Sequence, residues 1–75
     1  MDTTTQHAIA RKLTRDFGFR RDEFTTSTHR DADGGTYVLV RSAYVTSSHA
    51  TRLMNCLRSA GFQVARVSSR ELEVA

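Results

Sequence analysis

The chain has no proline and no tryptophan, and only one cysteine and one lysine among its 75 residues. A lone cysteine, Cys56, excludes an internal disulfide and agrees with a reducing compartment. The longest strongly apolar run is "YVLV", which is far too short to span a membrane. The amino terminus has no charged start followed by an apolar stretch, so we expect no secretory signal. Together these absences favour a cytoplasmic protein.

The length of the chain predicts one small α+β domain over residues 1–75. A domain of this size buries a smaller share of its surface than a typical domain, so its core provides only a thin stability margin. Its hydrophobic content of 39% and charged content of 25% are typical of globular domains. In such a protein, an apolar surface that the fold leaves uncovered suggests a partner or a second copy.

The charge of the chain is basic but evenly spread. The net charge is +3, and the segments 1–23, 24–46 and 47–75 contribute +1, 0 and +2. No basic block is therefore present to indicate nucleic-acid binding by itself. Ten of the eleven basic residues are arginine, which suits contacts with phosphate or carboxylate. GC-rich coding DNA produces the same bias, which would fit an accessory protein of a GC-rich actinobacterium or its bacteriophage.

Two segments have the periodicity of amphipathic helices. In the first, Ile9, Leu13 and Phe17 recur every four positions and predict one apolar face. One of the threonines 3–5 is expected to cap its start. Gly18 stands where a helix commonly ends with a left-handed residue, so the helix should stop there and Phe19 should fold back onto its last turn.

The second helix repeats this pattern 43 residues later. The apolar positions of this helix are Ala50, Leu53, Leu57 and Ala60, and its candidate caps are Thr46, Ser47 and Ser48. Gly61 and Phe62 match Gly18 and Phe19, although the apolar stripes are displaced by about one position. Either an internal duplication or two ordinary helix-to-strand junctions would produce this match.

A β-hairpin is predicted between the helices. Residues 24–30 ("FTTSTHR") and 36–44 ("TYVLVRSAY") are rich in β-branched and aromatic residues, and "DADGG" separates them. We interpret the carboxylates of this loop as turn residues, because a calcium loop would need further oxygen ligands. A symmetric loop pairs Arg30 with Thr36 and Thr25 with Arg41.

Alternation along these strands sorts their side chains onto two faces. The face expected to meet the helices comprises Phe24, Thr26, Thr28, Val38 and Val40. The other face comprises Thr25, Ser27, His29, Tyr37, Leu39 and Arg41. Past Gly61, "FQVARV" and "ELEV" predict either a second hairpin or one bent strand.

The predicted fold class is α+β. It is a two-layer α/β sandwich in the order α-β-β-α-β-β, or α-β-β-α-β if the tail is not a separate strand. Two helices lie on one face of a small, mostly antiparallel sheet, which buries both apolar stripes.

The residues that commonly carry catalysis or bind metal occur singly. His7, His29 and His49 have no zinc-ligand spacing, and His49 is expected to be solvated in the first turn of the second helix. Cys56 lies beside an apolar stripe, where a free cysteine is usually a small buried group. No catalytic residue, metal or cofactor is predicted, and we expect the protein not to be an enzyme.

Binding through the uncovered sheet face is the predicted function. The first interpretation is a protein-interaction module, such as an adaptor, inhibitor or regulatory subunit, that docks this face or an edge strand against another protein or against itself as a homodimer. The alternative is nucleic-acid binding, with Tyr37 stacking on a base and arginines contacting phosphates. Either Phe62 or Val67 should extend the face. The predicted binding residues are Tyr37, Leu39, Arg41, His29, Arg66 and Arg20.

Overall fold

A computed structural model of the chain describes residues 4–75. It contains two helices, α1 (Thr4–Arg15) and α2 (Ser47–Ser59), and a 3₁₀ turn at Arg21–Glu23. The four strands are β1 (Phe24–Arg30), β2 (Thr36–Ser42), β3 (Val64–Arg66) and β4 (Glu71–Val74). Within the described residues, neither helix is long and apolar enough to cross a membrane. The element order α-β-β-α-β-β confirms the predicted fold class.

The first hairpin has the predicted register. Arg30 pairs with Thr36 and Thr25 with Arg41, and the ladder extends by one further pair to Phe24 and Ser42. The loop uses Asp31 as its organising residue, because one carboxylate oxygen accepts the backbone N–H of Asp33 and of Gly35 at 3.0 and 2.9 Å. Turn formation therefore accounts for this carboxylate.

The C-terminal segment forms a second hairpin, not a bent strand. β3 and β4 are antiparallel, and β4 also pairs with β2, so the sheet order is β1-β2-β4-β3. The two hairpins thus lie side by side, with Val40 opposite Leu72 near the centre. A two-fold rotation between β2 and β4 would exchange the two α-β-β units. This arrangement agrees with a duplication but does not require one.

The core lies between the helices and one face of the sheet. Ile9 and Leu13 from α1 meet Leu53 and Leu57 from α2, and all four are fully buried. The sheet contributes the inward-facing residues Phe24, Val38, Val40, Val64, Leu72 and Val74. These residues alternate along their strands with residues that point to the other face.

The end of α1 differs from the prediction in one respect. The helix ends at Arg15, and Phe17, expected on its buried stripe, is 37% exposed. Gly18 has a φ of +75° and turns the chain, so the backbone N–H of Phe19 donates to the Leu13 carbonyl at 3.0 Å. Phe19 is consequently the buried aromatic residue. The predicted cap Thr3 lies outside the described residues, and helical structure already includes Thr4.

The end of α2 matches the prediction. Gly61 has a φ of +96°, and its N–H donates to the Arg58 carbonyl while the N–H of Phe62 donates to the Leu57 carbonyl. This pair of bonds is the Schellman motif, in which a left-handed residue satisfies the last carbonyls of a helix. Phe62 then packs against the core.

Candidate functional site

One face of the sheet has no described element packed against it. We call it the open face, and its side chains belong to Thr25, Ser27, His29, Tyr37, Leu39, Arg41, Ala65, Val67, Glu71 and Glu73. The strand register places these residues on the side opposite the core. Tyr37 and Leu39 are half-buried by their neighbours, whereas His29 and Arg41 are exposed. The structure therefore brings four of the six predicted binding residues together.

One corner of the open face is held in a defined arrangement. The rings of His29 and Tyr37 are stacked, with centroids 5.6 Å apart and planes inclined by 21°. Nε2 of His29 lies 2.7 Å from the hydroxyl of Ser27. An aromatic surface fixed in this way loses little side-chain freedom when a partner covers it.

Charge divides the open face into two halves. On β1 and β2 the charged residue is Arg41, which accompanies the aromatic pair. On β4 the charged residues are Glu71 and Glu73, which pair with Arg41 and Leu39 in the sheet register. Within the described residues, no ion pair shorter than 4.0 Å joins Arg41 to either glutamate. The cationic and acidic halves are thus both available to a partner.

Val67 extends the open face, and Phe62 does not. Val67 follows β3, donates its N–H to the Glu71 carbonyl, and is 49% exposed. Sequence reasoning did not place Glu71 and Glu73 on this face. Alternation within "ELEV" could have placed them there, because the glutamates lie on the face opposite to the buried Leu72 and Val74. The sequence did not decide, however, whether this segment forms a hairpin with the preceding strand.

The prediction that Arg66 belongs to the open face is wrong. Its guanidinium lies on the helix side, where it donates to the Ser47 carbonyl at 2.8 Å and to the Thr51 hydroxyl at 2.6 Å. Side chains alternate between the two faces of a strand, and Arg66 lies two residues after the buried Val64, so both belong to the helix side. Its other bonds are to the carbonyls of Ser68 and Ser69.

Arg20 also lies away from the open face. It precedes the 3₁₀ turn, where its backbone N–H donates to the Glu23 carboxylate at 2.6 Å. Its guanidinium lies 3.4 Å from the Asp22 carboxylate, with both side chains 74% exposed. Neither Arg20 nor Arg66 can therefore assist Arg41 in binding a ligand on the sheet.

His49, expected to be solvated, is buried. Only 6% of it is exposed, and its Nδ1 lies 2.6 Å from the hydroxyl of Ser42, which is 1% exposed. The rings of Phe19 and Tyr44 pack edge-on against the imidazole. Its Nε2 has no hydrogen-bond partner, and the Glu23 carboxylate is 3.9 Å away. Burial lowers the pKa of His49 below 6.5, with Arg52 acting in the same direction and Glu23 in the opposite one.

The Ser42, His49 and Glu23 cluster has the residue types of a nucleophile, base and acid, but its geometry is structural. The Ser42 hydroxyl already accepts the N–H of Tyr44 at 3.1 Å, and its burial denies a substrate access. A reactive serine must instead be reachable by the group that it attacks. Within residues 4–75, no three His, Cys, Asp or Glu side chains converge in a way that could hold a metal ion.

The outer edge of β1 is partly occupied. The ladder bonds Glu23 to Ala43 and Asp31 to Gly35, so the even-numbered residues of β1 direct their backbone groups away from β2. Gln6, on α1, donates to the Thr26 carbonyl at 3.1 Å and accepts the hydroxyl of Thr28 at 2.7 Å. A strand added at this edge would have to displace that amide.

Comparisons of the chain with protein-family models, with curated protein sequences and with solved structures gave no significant match.

Proposed function

We propose that the protein is a small, non-enzymatic interaction module that pairs with a second copy of itself through the open face. The observation that carries this proposal is the composition of that face, with an aromatic and cationic half on β1 and β2 and an acidic half on β3 and β4. A face divided in this way is complementary to itself after a suitable rotation.

The rotation that produces the match is a two-fold axis parallel to the strands. It sets β2 of one copy across from β4 of the other, and β1 across from β3. Arg41 then lies opposite Glu71 of the second copy, and the interaction occurs twice because of the symmetry. Sheets packed face to face lie about 10 Å apart, which an arginine and a glutamate can bridge together.

The size of the face predicts a weak dimer. The strands β1 and β2 have 7 residues each, β4 has 4 and β3 has 3, so at about 4.8 Å between strands and about 3.4 Å per residue the face covers roughly 350 Å². Two such surfaces cover roughly 700 Å² in total, which is below the size of stable specific interfaces and in the range of weak contacts. The proposal therefore includes dissociation in the micromolar range, as well as a cytoplasmic location in which the half-buried, free Cys56 stays reduced.

Two other uses of the sheet have less support. Phosphate binding on the open face would depend on Arg41 beside Glu71 and Glu73, a combination that repels a polyanion. Strand addition at the β1 edge competes with the Gln6 amide, and the opposite edge strand, β3, has only three residues. Docking of a different protein on the open face is the competing explanation if the chain does not associate with itself.

Sedimentation velocity over a dilution series tests the proposal. We expect the sedimentation coefficient to rise with concentration toward that of a dimer. Leu39→Lys, at the centre of the open face, should leave the chain monomeric. Val45→Lys, in the loop before α2, is a matched control because Val45 is 79% exposed and lies off the face. A wild-type chain that stays monomeric up to millimolar concentration would overturn self-association.

A further inference from the structure

A cleft lies between α1 and β1, on the helix side of the sheet. It has a volume of about 860 Å³ and is lined by residues from α1, the 3₁₀ turn and β1. We call it the basic cleft, and its lining residues are His7, Ala10, Arg11, Thr14, Arg15, Arg21, Phe24 and Thr26. None of the acidic residues within the described range 4–75 lines it. Because it lies on the helix side of the edge strand β1, dimerisation through the open face would leave it accessible.

The arginines of the basic cleft are free to bind a ligand. The side chains of Arg11, Arg15 and Arg21 are exposed and make no ion pair or hydrogen bond with any residue in the described range 4–75. The cation nearest to them in sequence, Lys12, is by contrast paired with Asp16 at 2.8 Å. Three guanidinium groups that have no partner among residues 4–75 surround one cleft, and they produce a local positive field that the net charge of the chain does not reveal.

Several other arginines have partners within the protein. Arg52 lies over the ring of Phe19 at 5.4 Å, and Arg58 donates to the Val64 carbonyl at 3.1 Å. Arg70 donates to the Ser42 carbonyl. No residue of the part of the chain that the structure describes makes such a contact with the arginines of the basic cleft, so these described contacts do not explain why arginine occupies its three positions.

The spacing of the basic side chains suits a chain of phosphates. His7, Arg11 and Arg15 lie one turn apart on the same side of α1, which separates neighbours by about 6 Å along the helix axis. Arg21 faces them across the cleft. Arginine binds phosphate through two parallel N–H donors, and this arrangement allows successive phosphates of one strand to be contacted in turn.

We propose that the basic cleft binds the phosphodiester backbone of single-stranded nucleic acid. A cleft of this volume admits one backbone but not the width of a duplex. Its apolar lining residues are Ala10, which is half-buried, and Phe24, which is 5% exposed, so the groups that it offers to a ligand are mainly the basic ones. Binding is independent of base sequence, because backbone contacts carry no base information.

Fluorescence anisotropy with a labelled oligothymidylate tests this site. With three phosphates neutralised, the slope of log affinity against log salt should be about −2, which corresponds to an affinity loss of about twentyfold between about 50 and about 200 mM salt. The double variant Arg11→Gln/Arg15→Gln should weaken binding at low salt at least tenfold and make the slope less steep by about 1.4.

Arg30→Gln/Arg52→Gln is the matched control, because it removes the same charge from sites outside the cleft. It should weaken binding less than threefold. Equal losses for the two double variants would show that only net charge matters and would overturn the site. Absence of binding by the wild-type chain at low salt, or equal affinity for a polyglutamate peptide, would overturn it too. Circular dichroism verifies that each variant is folded.

Amide chemical shifts provide a second, independent readout. Titration with the same oligothymidylate should move the amide signals of α1 and of the 3₁₀ turn, and should leave β3 and β4 unchanged. Shifts confined to the open face would contradict the proposed site even if binding were observed.

Discussion

Arg66 is a residue whose charge serves the fold. Its two terminal nitrogens donate to the Thr51 hydroxyl and to the carbonyls of Ser47 and Ser69, at distances of 2.6 to 2.9 Å. Its Nε donates to the Ser68 carbonyl at 3.1 Å. The side chain thereby holds the turn of the second hairpin against the first turn of α2. A planar fork is needed to reach these acceptors at once, which an ammonium group does not provide.

Replacement of Arg66 by lysine should therefore destabilise the protein although the charge is kept. Loss of at least two charged hydrogen bonds at an exposed site should cost roughly 1 kcal/mol, or about 4–8 °C in Tm for a domain of this size. Thermal unfolding followed by circular dichroism measures it. Arg30→Lys is the control, and equal Tm values for the two variants would contradict this role.

Buried His49 makes the stability depend on pH. Burial lowers its pKa in the folded state, so the unfolded chain binds the proton more readily. The free energy of unfolding should consequently fall as the pH drops below 6.5, and this contribution should level off below the lowered pKa. Chemical denaturation of the wild-type chain and of His49→Gln at several pH values measures this contribution to the free energy of unfolding.

In the His49→Gln variant this part of the pH dependence should disappear, whereas His7→Gln, at an exposed position of α1, should retain it. If the wild-type chain and His49→Gln showed parallel pH profiles between pH 5 and 7, His49 would not be the titrating group. The position of His49 in the first turn of α2 suggested a solvated histidine. Its burial depends on Phe19 and Tyr44, which pack against the imidazole, and the sequence around His49 does not reveal these contacts.

At the scale of elements, local signals predicted the hairpin and both helix ends better than they predicted burial. The symmetric "DADGG" loop determined the register of β1 and β2, because loop length and alternation together leave one pairing with its apolar residues inward. The second hairpin has a weak turn signal and a first strand of three residues, so the sequence did not distinguish it from one bent strand. Phe17 fitted the helical period, but the chain turns at Gly18 and buries Phe19 in its place.

The left-handed cap of α2 provides a test at this scale. Gly61→Ala should destabilise the protein by about 1 kcal/mol, because a Cβ is disfavoured at a φ of +96°. Nothing lies within 4 Å of that Cβ, so the cost comes from the backbone and not from a clash. Gly61→Asn should lose less stability, since asparagine tolerates this conformation. Equal destabilisation by Ala and Asn in urea unfolding would contradict the explanation.

At the scale of the whole molecule, two α-β-β units form one sheet whose second face is left uncovered by the described elements. Alternation in the first hairpin was sufficient to predict the content of that face on β1 and β2. Its acidic half could not be predicted, because the orientation of β4 depends on pairing with β2 between residues that lie 30 to 36 positions apart in the chain. The same long-range pairing sent Arg66 to the helix side and so changed the electrostatics of the proposed interface.

The most direct measurement of the central claim mixes two charge-reversed chains. Arg41→Glu and Glu71→Arg should each abolish self-association, because like charges then meet twice across the two-fold axis. An equimolar mixture should form a heterodimer, since Glu at position 41 of one chain then lies opposite Arg at position 71 of the other. Neither variant can make this opposite-charge contact with a second copy of itself. Native mass spectrometry that detects this heterodimer would support the account. A mixture that stays monomeric while the wild-type chain dimerises would contradict it.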